Sequence, residues 1–141
     1  MCPLTSCADP SHHQRLRFGR TGGATPVADG VDAVRRALAD WHLDVSGETV
    51  EDAALVAAEL LGNAVRHAGG PRRLDLDHRG DRLTIAVTDS SRARPQARPH
   101  EADRVGGHGL FIVDRLAVRR GDEPAEHGKT VWAELLLEPG H

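Results

Sequence analysis

Apolar residues recur along this chain with two different periods, and the switches between them mark the elements. Leu16 and Phe18 alternate with Arg15, Arg17 and Arg20, the two-residue period of a half-buried edge strand, and Gly22-Gly23 ends it. From Thr25-Pro26 the period becomes three to four. Val27, Val31, Val34, Leu38 and Trp41 fall on one side of a helix reaching His42, with Thr25 as cap and proline in the first turn, where its missing N–H costs nothing. Ser46 to Thr49 offer caps for a second helix, which runs through Glu51 to His67 and stops at Gly69-Gly70-Pro71. Leu74 and Leu76, then Leu83, Ile85 and Val87, alternate on either side of an Arg79-Gly80-Asp81 turn, which predicts a β-hairpin. Ser90 to Arg104, polar and interrupted by Pro95 and Pro99, reads as a long loop of the kind that serves as a lid. Gly106-Gly107-His108-Gly109 leads into a short helix carrying Leu110, Ile112, Val113 and Leu116; Val118 and Thr130 to Leu137 supply closing strands.

Helices and strands are segregated and spaced as hairpins rather than crossovers. The predicted class is therefore α+β, with helices packed on one face of a mixed, mostly antiparallel sheet. The 141 residues make one domain, expected over residues 15–138 behind a flexible leader of residues 1–14. A chain of this size buries about 68 to 70% of its unfolded surface, enough for a core without disulfides or a structural metal.

Composition narrows the function. A net charge of −3 argues against bulk attraction to nucleic acid or anionic lipid. Phe18, Trp41, Phe111 and Trp132 are the only aromatics, so bases of a single strand have little to stack on. No apolar run approaches a membrane span and the N-terminus is not a signal peptide, so the expected location is cytoplasmic, with neither nucleic acid nor membrane as direct partner. Cys2, Cys7, His12 and His13 can be written as four zinc ligands, but nothing periodic around them supplies a fixed geometry, and a disordered leader is the preferred reading.

Candidate chemistry concentrates on the second helix. At about 100° per residue, Val50, Ala53, Ala54, Ala57, Leu60, Leu61, Ala64 and Ala68 gather on a core face. Glu59, Asn63 and His67 form a stripe on the opposite side, with Asp52 and Arg66 beside it and Val56 lodged between. One reading of the stripe is a solvated face. The other starts from Asn63, a poor helix former in mid-helix, whose carbonyl oxygen is a hard ligand suited to Mg2+ when phosphates complete the shell. Glu59, one turn earlier, would then accept a proton from a nearby hydroxyl or water.

Three further signals lie downstream. Asp89 continues the inward face of Leu83, Ile85 and Val87; it either caps the backbone of Ser90 and Ser91 or accepts from an exocyclic amine such as that of adenine. Gly107 and Gly109 precede a helix whose unpaired N–H groups can meet a phosphate. Gly128-Lys129-Thr130 fails as a phosphate loop, because Glu123 stands where the first glycine belongs and a strand follows instead of a helix. Lys129, the one lysine among 18 basic residues, is thus read as a strand-end residue outside the nucleotide site.

In order along the chain, Glu59-Leu60-Leu61-Gly62-Asn63-Ala64-Val65-Arg66-His67-Ala68, Asp89-Ser90-Ser91-Arg92-Ala93-Arg94-Pro95, Gly107-His108-Gly109-Leu110 and Gly128-Lys129-Thr130-Val131-Trp132-Ala133-Glu134-Leu135 resemble the N, G1 and G2 boxes and the final strand of the GHKL (histidine kinase-like) ATPase superfamily. The nearest likeness is to stand-alone bacterial anti-sigma-factor serine/threonine kinases. The resemblance implies a Bergerat-type two-layer α/β sandwich that binds ATP with Mg2+. It makes Glu59 the general base, Asn63 the magnesium ligand and Asp89 the acceptor of the adenine amine. Gly107, His108, Gly109 and Leu110 become lid hinge and phosphate contact, and Thr130 supports the adenine end. Ser91 and Ala93 stand where much of the superfamily has glycine, a departure that bears on the lid's flexibility.

The resemblance implies a serine/threonine protein kinase and anti-sigma factor whose acceptor is a serine of a small anti-anti-sigma protein. A sigma factor would be the competing partner, and pairing of two copies is allowed. Arg92, Arg94, Arg98 and Arg104 in the lid either steady transferred charge or are simply solvated. The alternative is an ATP-binding regulator that sequesters its partner without phosphotransfer. A receptor histidine kinase or a large transducing ATPase is disfavoured by the expected length.

Overall fold

The computed structural model describes residues 11–19, 25–91 and 108–140. In chain order the elements are β1 (Ser11–Arg17), α1 (Pro26–Asp40), α2 (Gly47–Ala68), β2 (Pro71–Arg79), β3 (Arg82–Asp89), α3 (His108–Leu116), β4 (Arg119–Ala125) and β5 (Gly128–Leu136).

Local chemistry sets most of these boundaries. Pro26 opens α1, and Thr25 holds the N-cap position with extended backbone, although its hydroxyl makes no capping bond. Ser46 caps α2 fully: its Oγ accepts from the Thr49 N–H at 3.0 Å and donates to the Thr49 hydroxyl at 2.8 Å. Gly69, at φ 74°, ends the helix in the left-handed region, and the Gly70 N–H reaches back to the Ala64 carbonyl at 2.9 Å. β2 and β3 join through a two-residue turn in which Gly80 takes φ 60°.

The strands form one sheet in the order β1-β2-β3-β5-β4, with all four pairings antiparallel. The α+β two-layer expectation holds, while the sheet is antiparallel among its described strands rather than mixed. The reason is topological. The connection from β3 through α3 lands one position beyond its neighbour, and β5 returns by a hairpin to fill the gap, so no two adjacent strands run parallel.

The helices cover one face of this sheet. Leu74, Leu76, Leu83, Ile85, Val87, Val131, Ala133 and Leu135 point from the strands into a single cluster with Val34, Leu38, Val56, Ala57, Leu60, Leu61 and Val113. Each fully buried Leu, Ile or Val contributes roughly 1.5 to 3 kcal/mol. The opposite face is polar and lined with ion pairs. Asp75, nearly buried, accepts from Arg15 Nε at 2.6 Å and Arg73 Nε at 2.9 Å, and Glu134 holds Arg82 and Arg119, each at 3.0 Å.

Two boundaries differ from the sequence reading. β1 begins at Ser11, inside the segment expected as leader, and pairs with β2 along its full length. His12 is what draws that segment in. Its ring stacks on Trp41 and His78 with centroids 5.2 and 5.1 Å away. The Gly80 carbonyl can only accept, so His78 Nε2 donates to it at 2.7 Å, and His78 Nδ1 shares a hydrogen bond with His12 Nδ1, 2.9 Å away. His13 bonds Asp77 at 2.7 Å. Both histidines of the zinc reading are thus engaged by the chain's own groups, while Cys2 and Cys7 lie outside the described residues. The second difference is β4, which starts at Arg119 and not at Val118; it is an edge strand that carries Pro124 where no ladder partner needs its N–H.

Candidate nucleotide-binding site

α2 lies over β3 and β5 and packs its flank against α3. Its core face is as the periodicity predicts, from Ala53 through Ala64. The opposite stripe is not a uniformly solvated face. Val56 is fully buried, Glu59 and Asn63 are half-buried, and only His67 is exposed. The covering element is α3, whose Val113 joins the same apolar cluster as Val56. Leu55 and Val65 take up the exposed side instead.

Glu59 and Asn63 therefore stand one turn apart on a sheltered flank. Among the described residues neither side chain has a hydrogen-bond or ion-pair partner, so both keep their oxygen atoms for something else. No group of three or more His, Cys, Asp or Glu able to hold a metal ion exists among the described residues. A hard amide oxygen without companion ligands fits a cation that phosphate oxygens largely coordinate, and not one caged by protein.

Asp89 ends β3 and is 2% exposed. Of the two readings of it left open by the sequence, the capping one is what is seen. Its Oδ1 accepts from the Ser91 N–H at 2.8 Å, the aspartate turn. It also has a partner that sequence reasoning set aside: Lys129 Nζ donates to Oδ2 at 3.0 Å and to Oδ1 at 3.2 Å. Lys129 is itself only 6% exposed and lies directly opposite Asp89 in the β3–β5 register. As expected it stands at the end of a strand and in no phosphate loop, but it is part of the carboxylate's surroundings. The signal was present in the alternation, because Lys129 shares the inward parity of Val131, Ala133 and Leu135.

Thr130 bonds elsewhere. Its hydroxyl shares a hydrogen bond of 2.7 Å with that of Thr88, its register partner, and strand alternation puts this pair on the face away from Asp89 and Lys129. His108, Gly109 and Leu110 form the first turn of α3, so Gly109 lies within the helix and does not precede it. Its N–H is still among the first four, which have no partner inside the helix. Gly107, the lid arginines and Ala93 lie outside the described residues.

Asp89 is thus a buried carboxylate at the end of β3, Glu59 and Asn63 lie half-buried on α2, which packs over that strand, and α3 begins at His108. Residues 25–134 match the histidine kinase-like ATPase domain. The chain belongs to this family. Residues 59, 63, 89, 108–110 and 130 of this ATPase domain all fall within the matched span, and ATP is the nucleotide that membership implies. No curated protein matches the chain. No helix of the ATPase domain, among its described residues, is long and apolar enough to cross a membrane.

Proposed function

We propose that this ATP-binding domain is a regulatory serine/threonine protein kinase and anti-sigma factor. Its substrate would be a serine of a small anti-anti-sigma protein, with a sigma factor as competing partner. The observation that carries the reading is the sheltered pair on α2. Glu59 and Asn63 stand one turn apart with their oxygens uncommitted among the described residues, the arrangement expected of a proton acceptor beside a ligand for phosphate-bound Mg2+. Asn63 would help hold the cation, which when bound neutralises charge on the phosphates. Asp89 would accept from the adenine amine, and the first turn of α3 would meet the phosphates. The acceptor serine forms its bond to the γ-phosphorus as the bond to the β–γ bridging oxygen breaks, its proton passes to Glu59, and ADP leaves.

One observation favours the alternative, an ATP-dependent sequestering protein. Ser91 stands where much of the superfamily has glycine, and its N–H is fastened to Asp89, which ties down the start of the lid segment. Incubation with labelled ATP and candidate partners separates the two: label on a serine supports the kinase, and a stable unlabelled complex supports sequestration. Asn63→Ala is expected to abolish Mg2+-dependent ATP binding. Glu59→Ala should leave binding intact and cut phosphotransfer by about a hundredfold to ten-thousandfold. Calorimetry showing unchanged ATP affinity in Asn63→Ala overturns the site assignment.

A further inference from the structure

We infer that Lys129 is a positioning residue for base recognition, which aims the carboxylate of Asp89 so that a single acceptor site is left for the amine of adenine. This rests on the reading of Asp89 as the amine acceptor and adds what makes it selective.

An ionised carboxylate has two oxygens and about four lone-pair sites. At Asp89, Oδ1 takes the Ser91 N–H at 2.8 Å and the Lys129 ammonium at 3.2 Å, and Oδ2 takes the same ammonium at 3.0 Å. Three sites are used, and the one left is on Oδ2. Asp89 and Lys129 have no further partner among the described residues. A base that brings one N–H to that oxygen completes the shell, whereas a base with hydrogen in place of the amine leaves it incomplete.

Geometry explains why lysine does this and why it sits here. Asp89 and Lys129 are register partners at the adjoining ends of β3 and β5. Gly128 allows the two strands to close, since a Cβ there would lie 1.8 Å from the Asp89 carbonyl oxygen. With both groups nearly excluded from water, the ammonium is the carboxylate's compensating charge. Without it, Asp89 is a buried anion held by one N–H and must turn toward solvent or find other donors. Either change moves Oδ2 from the place where the amine would meet it.

The test compares ATP with purine riboside triphosphate, which has hydrogen in place of the 6-amine and keeps N1, ribose and phosphates. Wild type is expected to bind ATP at least about tenfold more tightly, the worth of one hydrogen bond to a charged acceptor. Lys129→Met should bring the two affinities within about twofold of each other, and Lys129→Arg should restore most of the difference. A folded Lys129→Met chain with the wild-type ratio overturns the inference. So does one that binds ATP more tightly than wild type, since lysine would then be competing with the amine. Should methionine prevent folding, Lys129→Gln, an uncharged donor, is expected to keep a reduced ratio, and an undiminished one overturns the inference. Wild type that binds both nucleotides equally overturns it while leaving the ATP reading intact; wild type that binds neither refutes the ATP reading itself.

Discussion

Gly128 owes its identity to what it faces. Any side chain there meets the backbone of β3, because a Cβ would stand 1.8 Å from the Asp89 oxygen and 3.0 Å from the Ser90 Cα. Backbone in a paired strand cannot give way as a side-chain tip can. Gly128→Ala is expected to destabilise the fold by about 1 to 3 kcal/mol or more, seen as a lower urea midpoint at unchanged m-value. A wild-type midpoint contradicts the close approach. The same neighbourhood shows how far single residues were legible. Asp89 could be placed inward from alternation alone, and Asn63 from its poor fit to a helix interior. The Asp89–Lys129 pair could not be paired from sequence, because the two residues are 40 positions apart and meet only through the register of β3 on β5. Thr130 shows the same limit: its motif position suggested the adenine end, whereas its hydroxyl bonds Thr88.

Elements with local stop and start signals were readable, and those without were not. Both long helices follow their caps and periodicity. Their docking depends on Gly30, where a Cβ would lie 2.2 Å from Leu61 Cδ1, and on a clasp in which Arg35 of α1 donates to both oxygens of Glu51 on α2, one of them at 3.0 Å. The side-chain hydrogen bond from Arg35 holds the Glu51 carboxyl below its usual range. A folded-state value below the unfolded one means that the clasp stabilises at neutral pH and fades as acid titrates Glu51 through its lowered value. Both groups are well exposed, so the effect is small and screened by salt. Glu51→Gln should therefore lower the melting temperature slightly at pH 7 in low salt, less so in high salt, and progressively less as acid titrates the carboxyl through its lowered value. An undiminished difference in acid argues against the ion pair. β4 is the opposite case. Arg119–Ala125 has neither apolar alternation nor strand formers, and it contains Gly121 and Pro124. It is a strand because β5 offers a ladder and because the Trp132 ring lies across Gly121, where a Cβ would be 2.8 Å from Trp132 Cζ2.

At the scale of the molecule, the sheet order places β3 in the middle, β1 and β4 at the rims, and α2 across the centre. Hydrogen exchange should follow that order. Amides of α2 and β3 are expected to exchange only through global unfolding, and those of β1 and β4 at least about tenfold faster. Protection in β4 equal to that in β3 would count against the edge position. The sequence by itself determined the helices, the β2–β3 hairpin, the inward faces and the α+β class. These depend on period, caps and turns, which act over a few residues. Tertiary structure alone decided that Ser11–Gln14 extend β1 by stacking His12 on Trp41 and His78, that β4 is a strand, that the sheet is antiparallel among its described strands, and that Glu59 and Asn63 are sheltered. It also decided that the single lysine of the chain faces Asp89. Each of these is a meeting of groups far apart in the chain, set by which strands pair, in what register, and under which helix, and no local pattern carries that information.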